Sequence, residues 1–171
     1  MSSFKKNVIK GLSADEKYLS SRYFYDAKGD QIFQEIMAMP EYYLTRAEAE
    51  IFELRKKKIY SSLNFREHFN LVELGAGDGL KTKILLHSFL EGKDYFEYYP
   101  IDISSHVLEE LQSSLALELP ALKVRPLADE YFEGLKKIRS LNQSPLLVLF
   151  LGSNIGNFPQ AQAESFMTAL G

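Results

Sequence analysis

From residue 70 to residue 151 the chain alternates short apolar runs with amphipathic segments, and this alternation narrows the fold more than any other feature of the sequence. Runs rich in Val, Leu, Ile and Tyr cover 71–74, 98–103, 122–127 and 146–151, and helical periodicity covers about 81–90, 105–117 and 130–139. The order is βαβαβαβ. Strands that read as continuous apolar runs are buried on both faces, and helical crossovers between them make the sheet parallel. The expected fold class is therefore α/β, a three-layer doubly wound domain. The run 146–151 is only the fourth strand signal, so the sheet is expected to be truncated after it and the chain to be a piece of a longer protein.

Upstream of residue 64 the pattern is helical. Ser13-x-x-Glu16 and Thr45-x-x-Glu48 have the spacing of capping boxes. Asp30 stands where it can cap a helix with Ile32, Phe33, Ile36 and Met37 on one face, and Pro40 separates the last two helices. The change of period divides the chain into a helical, substrate-side segment, 1–63, and a cofactor-binding α/β unit, 64–171. The run Arg55-Lys56-Lys57-Lys58 reads as the solvated end of the helix that starts at Thr45, where positive charge complements the helix dipole.

Composition excludes several classes of function. With 46% hydrophobic and 25% charged residues the chain has the means to bury a core. It contains no cysteine, which removes disulfides, thiolate zinc sites, iron–sulfur clusters and cysteine nucleophiles together and fits a reducing compartment. The three histidines, His68, His87 and His106, have no metal spacing. A net charge of −3 offers no general attraction to nucleic acid or anionic lipid. The run 146–151 is too short to cross a bilayer, and the start, Met1-Ser2-Ser3-Phe4-Lys5-Lys6, lacks the apolar stretch of a secretion signal. A cytoplasmic protein with neither a nucleic-acid nor a membrane partner is expected.

The first apolar strand runs into Glu73-Leu74-Gly75-Ala76-Gly77-Asp78-Gly79 and then a helix. Glycines at such a turn let backbone approach a ligand closely, and the helix N-terminus offers free N–H groups to an anion. The same residues also fit a tight turn that binds nothing. Asp102 ends the next apolar strand, where a carboxylate meets the two hydroxyls of a ribose. The dinucleotide fingerprint needs a third glycine five places after Gly75, and that position is Leu80. The chain instead reads Glu-x-Gly-x-Gly-x-Gly, which is similar to the first motif of class I S-adenosylmethionine-dependent methyltransferases. That likeness implies an acidic residue beside the adenine after the third strand, where Asp129-Glu130-Tyr131-Phe132 stands with a ring able to stack on the base. Asp129 fits an ordinary helix cap equally well.

Four strings then occur in order: Phe24-Tyr25-Asp26-Ala27-Lys28-Gly29; Pro40-Glu41-Tyr42-Tyr43-Leu44-Thr45-Arg46-Ala47-Glu48-Ala49-Glu50; Glu73-Leu74-Gly75-Ala76-Gly77 with Lys81-Thr82; and Leu151-Gly152-Ser153-Asn154-Ile155-Gly156-Asn157. Together they resemble the histidine-specific, S-adenosylmethionine-dependent methyltransferases, which include the enzyme that trimethylates the α-amine of histidine on the way to ergothioneine. The resemblance runs from about Leu12 to the end of the chain. It implies a Rossmann-like class I fold, S-adenosyl-L-methionine as cofactor, a small amino-acid-like substrate, and about twice this length in the family. It also implies site residues: Tyr25 over the cofactor, Gly75, Gly77 and Lys81 at its methionine end, Asp102 at its ribose, and Asp129, Glu130 and Tyr131 about its adenine. Tyr42 and Asn157 would face the substrate, with Tyr43 the weaker choice beside Tyr42. The family often has proline at Leu44, serine at Asp30 and threonine at Asn154, and Asp78-Gly79-Leu80 departs from its usual turn. Its imidazole-recognising residues have no counterpart here.

The expected activity is methyl transfer to the α-amine of histidine or a related amino acid or small amine. Such an in-line displacement asks the protein for position and an uncharged lone pair rather than for a nucleophile. Two alternatives stay open at this point: a binding or regulatory module that keeps the fold without turnover, and a nicotinamide-dependent oxidoreductase. If the fourth strand has no further neighbour, its apolar edge is expected to drive self-association.

Overall fold

A computed structural model describes residues 3–24, 26–63, 68–92, 95–141 and 143–170. The elements follow in order: α1 (Ser3–Leu12), a 3-10 turn (Ser21–Phe24), α2 (Ala27–Ala38), α3 (Leu44–Ser62), β1 (Phe69–Leu74), α4 (Thr82–Glu91), β2 (Phe96–Asp102), α5 (Ser105–Glu118), β3 (Lys123–Val124), β4 (Leu127–Ala128), α6 (Tyr131–Leu141), β5 (Leu146–Leu149), a second 3-10 turn (Asn154–Asn157) and α7 (Gln160–Leu170).

All strand pairs are parallel, with Leu71 opposite both Tyr98 of β2 and Leu147 of β5. The sheet order is β3-β2-β1-β5, and β4 also lies against β2. The chain thus winds from β1 outward through β2, then crosses back to the other side of β1, which makes the carboxyl ends of β1 and β5 a switch point. Every residue of β1 is buried, as a strand covered on both faces must be. On one face Phe69, Leu71, Phe96 and Tyr98 pack under Leu85, Leu86 and Phe89 of α4 and Leu111 and Leu115 of α5, with Phe52 and Ile59 of α3 against them. On the other, Val72, Leu74, Tyr99 and Ile101 pack under Ile138 of α6 and Phe166 of α7. This is the expected three-layer α/β arrangement.

The expected third strand, 122–127, is two short pieces. Their registers on β2 are continuous, with Val124 opposite Tyr98 and Leu127 opposite Ile101. Pro126 lies between them and has no N–H for the ladder.

The helical half differs more. α1 lies ahead of the expected helical stretch, and the Ser13-x-x-Glu16 spacing caps nothing. Ser13 N–H still donates to Ile9 C=O at the end of α1, and Gly11 is buried where the Tyr18 backbone crosses it, leaving no room for a Cβ. Asp30 is no cap either: Asp26 caps α2, accepting from Gly29 N–H at 2.8 Å. At Thr45 the expected box is also absent, since α3 begins at Leu44 with no side-chain cap. Arg46 instead donates to the Met39 and Pro40 carbonyls left over from α2. α3 continues to Ser62 with no basic residue in its last turn, so the 55–58 run is solvated helix surface one turn short of the dipole's end. Among the described residues no helix is long and apolar enough to cross a membrane.

Candidate functional site

The switch point opens into one cleft, walled by the turn after β1, the ends of β2 and β5, the start of α6, and α2 and the first turn of α3. The glycine turn shapes its floor. Gly75, Gly77 and Gly79 have φ of 75°, 54° and 65°, a region side chains with a Cβ rarely enter. A Cβ on Gly77 would meet nothing within 4 Å, so the backbone there is open to a ligand.

Asp102 closes the floor from β2. One carboxylate oxygen accepts from Gly77 N–H at 3.1 Å and the other from Ser104 N–H at 3.0 Å. Burial pushes the Asp102 carboxyl above its usual range and the nearby Asp30 adds to the push, while the Ser104, Gly77 and Ile103 amides pull it back. The carboxylate, with about four lone-pair sites, keeps room for a further donor. Beneath the turn, Glu73 is buried on the α4 side and takes hydroxyl donors from Thr82, at 2.5 Å, and from Tyr98. Burial raises its carboxyl to about 7.

Lys81, at the N-cap position of α4, reaches into the cleft and pairs with Glu48 at 2.5 Å. Tyr131 opens α6 and sets its ring edge-on to Phe150, Phe158 and Phe166. Tyr42 stands edge-on to Phe33, their ring centroids 6.2 Å apart. Asn157 comes from the 3-10 turn after β5.

Gly75, Gly77, Lys81, Asp102, Tyr131, Tyr42 and Asn157 therefore line one cleft. Tyr43 is 63% exposed and outside the lining. Asp129 and Glu130 also lie outside it. Lys137 pairs with the Asp129 carboxylate at 2.6 Å and holds it below its usual range, and the same carboxylate accepts from the adjacent Glu130 N–H. Tyr25 lies outside the described residues. Among the described residues no cluster suits a metal ion.

Four acidic lining residues escaped sequence reasoning. Asp30 and Glu48 carried cap spacings, and Glu73 and Asp78 stood out only as part of the glycine motif. Asp30 accepts from the Ser104 hydroxyl at 2.7 Å, linking α2 to the start of α5.

A model of the histidine-specific, SAM-dependent methyltransferases matches residues 4–171. The chain belongs to this family. A histidine N-alpha-methyltransferase of Mycolicibacterium smegmatis is 34% identical over 166 residues, covering 97% of this chain and 50% of that protein. Ergothioneine biosynthesis protein 1 of Schizosaccharomyces pombe is 31% identical over 155 residues, 87% of this chain and 20% of that one. The N-methyltransferase fsqC of Aspergillus fumigatus is 27% identical, covering 94% and 45%. The chain spans about half the length of the first two histidine methyltransferases it matches. With the family established the nicotinamide alternative is withdrawn, in keeping with Leu80 standing where the dinucleotide fingerprint needs its third glycine.

The residues present fit S-adenosylmethionine. The open backbone at Gly77, the spare lone pairs of Asp102 and the lysine at a helix N-terminus match, in turn, a close approach, a ribose and a carboxylate.

Proposed function

We propose that this chain forms the cofactor-binding part of an N-methyltransferase that moves a methyl group from S-adenosylmethionine to the α-amine of histidine or of a related amino acid or small amine. The observation that carries this reading is the charge of the cleft. Among its described lining residues four carboxylates that keep access to the cleft, Asp30, Glu48, Asp78 and Asp102, stand with the single ammonium of Lys81. A ligand that bears both a sulfonium and an ammonium suits such a lining, and one that brings a pyrophosphate does not.

S-adenosylmethionine, when bound, supplies a methyl carbon made electrophilic by the positive sulfur beside it. The protein's part is position. Asp102 accepts from ribose hydroxyls with what its backbone amides leave free, Lys81 and the N-terminus of α4 take the carboxylate, and Tyr131 lies beside the base. The side-chain oxygens of Tyr42 and Asn157 accept N–H donors from the neutral substrate amine and so aim its lone pair. Phe33, Met37 and Leu44 add an apolar wall that keeps water from the reacting groups. Asp129 and Glu130 have no part in this arrangement.

We further propose a cytoplasmic location, supported by the absence of cysteine, and self-association along the outer edge of β5. The test of function is calorimetric titration with S-adenosylhomocysteine and with NAD, repeated on Asp102→Ala. Micromolar binding of the first, about −8 kcal/mol, lost in Asp102→Ala, supports the reading; binding of NAD with the same dependence overturns it. Mass analysis of histidine incubated with the chain and S-adenosylmethionine separates an enzyme from a module that only binds.

A further inference from the structure

We infer that Glu48 is a positioning residue of this cleft: it fixes the ammonium of Lys81 toward the amino-carboxylate end of the ligand and ties that lysine to the loop after β5. The inference rests on the cofactor reading above.

Glu48 uses both carboxylate oxygens. One stands 2.5 Å from Lys81 Nζ, and the other accepts from Gly152 N–H at 3.1 Å. The partners are 33 and 104 residues away in the chain and belong to different segments, the N-cap of α4 and the loop after β5. A single side chain on α3 thus joins three walls of the cleft.

A lysine on its four-carbon stem has many rotamers, and a cleft with one ammonium gains by holding it in one of them. Glu48 does this while using one of the three N–H donors, so the others remain for a carboxylate. The pair is neutral, and it therefore presents direction rather than net charge.

The loop end is equally constrained. Gly152 and Ser153 have φ of 72° and 59°, and Ser153 is the only non-glycine residue with positive φ among the described residues. A Cβ on Gly152 would come within 3.2 Å of Lys81 Nζ. Backbone held in that region persists only where its surroundings impose it, and the Glu48 carboxylate is a contact that does so. Asn154 and Asn157, both on the cleft wall, follow directly on this loop. The carboxylate that aims the lysine therefore also sets where these amides begin.

Two probes separate positioning from general support: S-adenosylhomocysteine, and 5′-methylthioadenosine, which keeps the nucleoside and sulfur but lacks the amino-carboxylate. Both are titrated calorimetrically into the wild-type chain, Glu48→Gln, Glu48→Asp, Lys81→Met and the Glu48→Gln/Lys81→Met double variant. Glu48→Gln keeps the size of the side chain and an acceptor for Gly152. It is expected to weaken S-adenosylhomocysteine about tenfold and 5′-methylthioadenosine less than about twofold. Glu48→Asp, too short to span both partners, is expected to do the same. The double variant is expected to bind no more weakly than Lys81→Met alone. Equal losses for the two probes, or additive losses in the double variant, overturn the role given to Glu48 and leave the cofactor reading standing. A wild-type chain that binds neither probe overturns both.

Discussion

The Tyr98 hydroxyl donates to the carboxylate of Glu73 across neighbouring strands, and both residues are buried. With Thr82 on the other oxygen the carboxylate has two hydroxyl donors, yet burial outweighs them and raises Glu73 from 4.5 to about 7. Between those values the folded protein holds a proton that the unfolded chain has released. Stability therefore falls as pH rises from 4.5 to 7, by up to about 3 kcal/mol from this group alone. Glu73→Gln is expected to flatten that part of the curve. Urea midpoints at pH 5 and pH 8 measure it, and an unchanged difference in the variant would contradict the assignment.

One residue before Tyr98 on β2 the sign is reversed. The Arg125 guanidinium beside Glu97 holds its carboxyl down at about 2. This contribution is present above pH 4.5 and is lost as pH falls toward 2. Arg125 is 55% exposed, so the pair stabilises only weakly and weakens further with salt. Acid unfolding of Arg125→Ala should start from slightly lower stability near neutral pH and converge on the wild type by pH 2; a difference that persists at pH 2 or ignores salt argues against the ion pair.

Gly134 lies within α6, where alanine has the better helix propensity by about 1 kcal/mol. Packing decides the sign against it. A Cβ there would stand 2.7 Å from Ile101 Cδ1 and 3.1 Å from its Cγ2, and Ile101 is fully buried, so any shift must be made within the core. Overpacking of this kind costs about 1–3 kcal/mol. Gly134→Ala is expected to lower the melting temperature, and a rise would show that the α6–β2 contact yields.

Tyr42→Phe and Asn157→Ala each remove one proposed acceptor for the substrate amine. A lost hydrogen bond in this role corresponds to about a tenfold fall in kcat/KM for histidine. Cofactor affinity should change little. A parallel loss of S-adenosylhomocysteine binding would move these residues to the cofactor.

β5 pairs with β1 on one edge, and among the described residues no strand covers the other. Its four residues, Leu146–Leu149, carry neither charge nor proline, the usual guards of an open edge. Concentration-dependent self-association of this chain is expected in sedimentation velocity, and a monomer at every concentration would contradict it.

Fold class and the floor of the cleft could be read from the chain itself because the physics that sets them is local. β1, α4, β2 and α5 lie within two residues of the runs that announce them, since apolar periodicity records which faces a segment buries. Gly75 and Gly77 had to form a turn after a buried strand, and Asp102, ending the adjacent strand, had to come beside them. The helical walls were not open to the same reading. Asp30 and Glu48 each had the spacing of a cap, and spacing reports only what a side chain can reach nearby. Their observed partners, Ser104 for one and Lys81 with Gly152 for the other, lie 74, 33 and 104 residues away. Asp129 went the other way, from an expected ligand contact to a pair with Lys137 on the helix that follows it. A carboxylate takes the best donors that folding brings to it, and which donors arrive is a property of how the helices pack over the sheet rather than of the residues on either side.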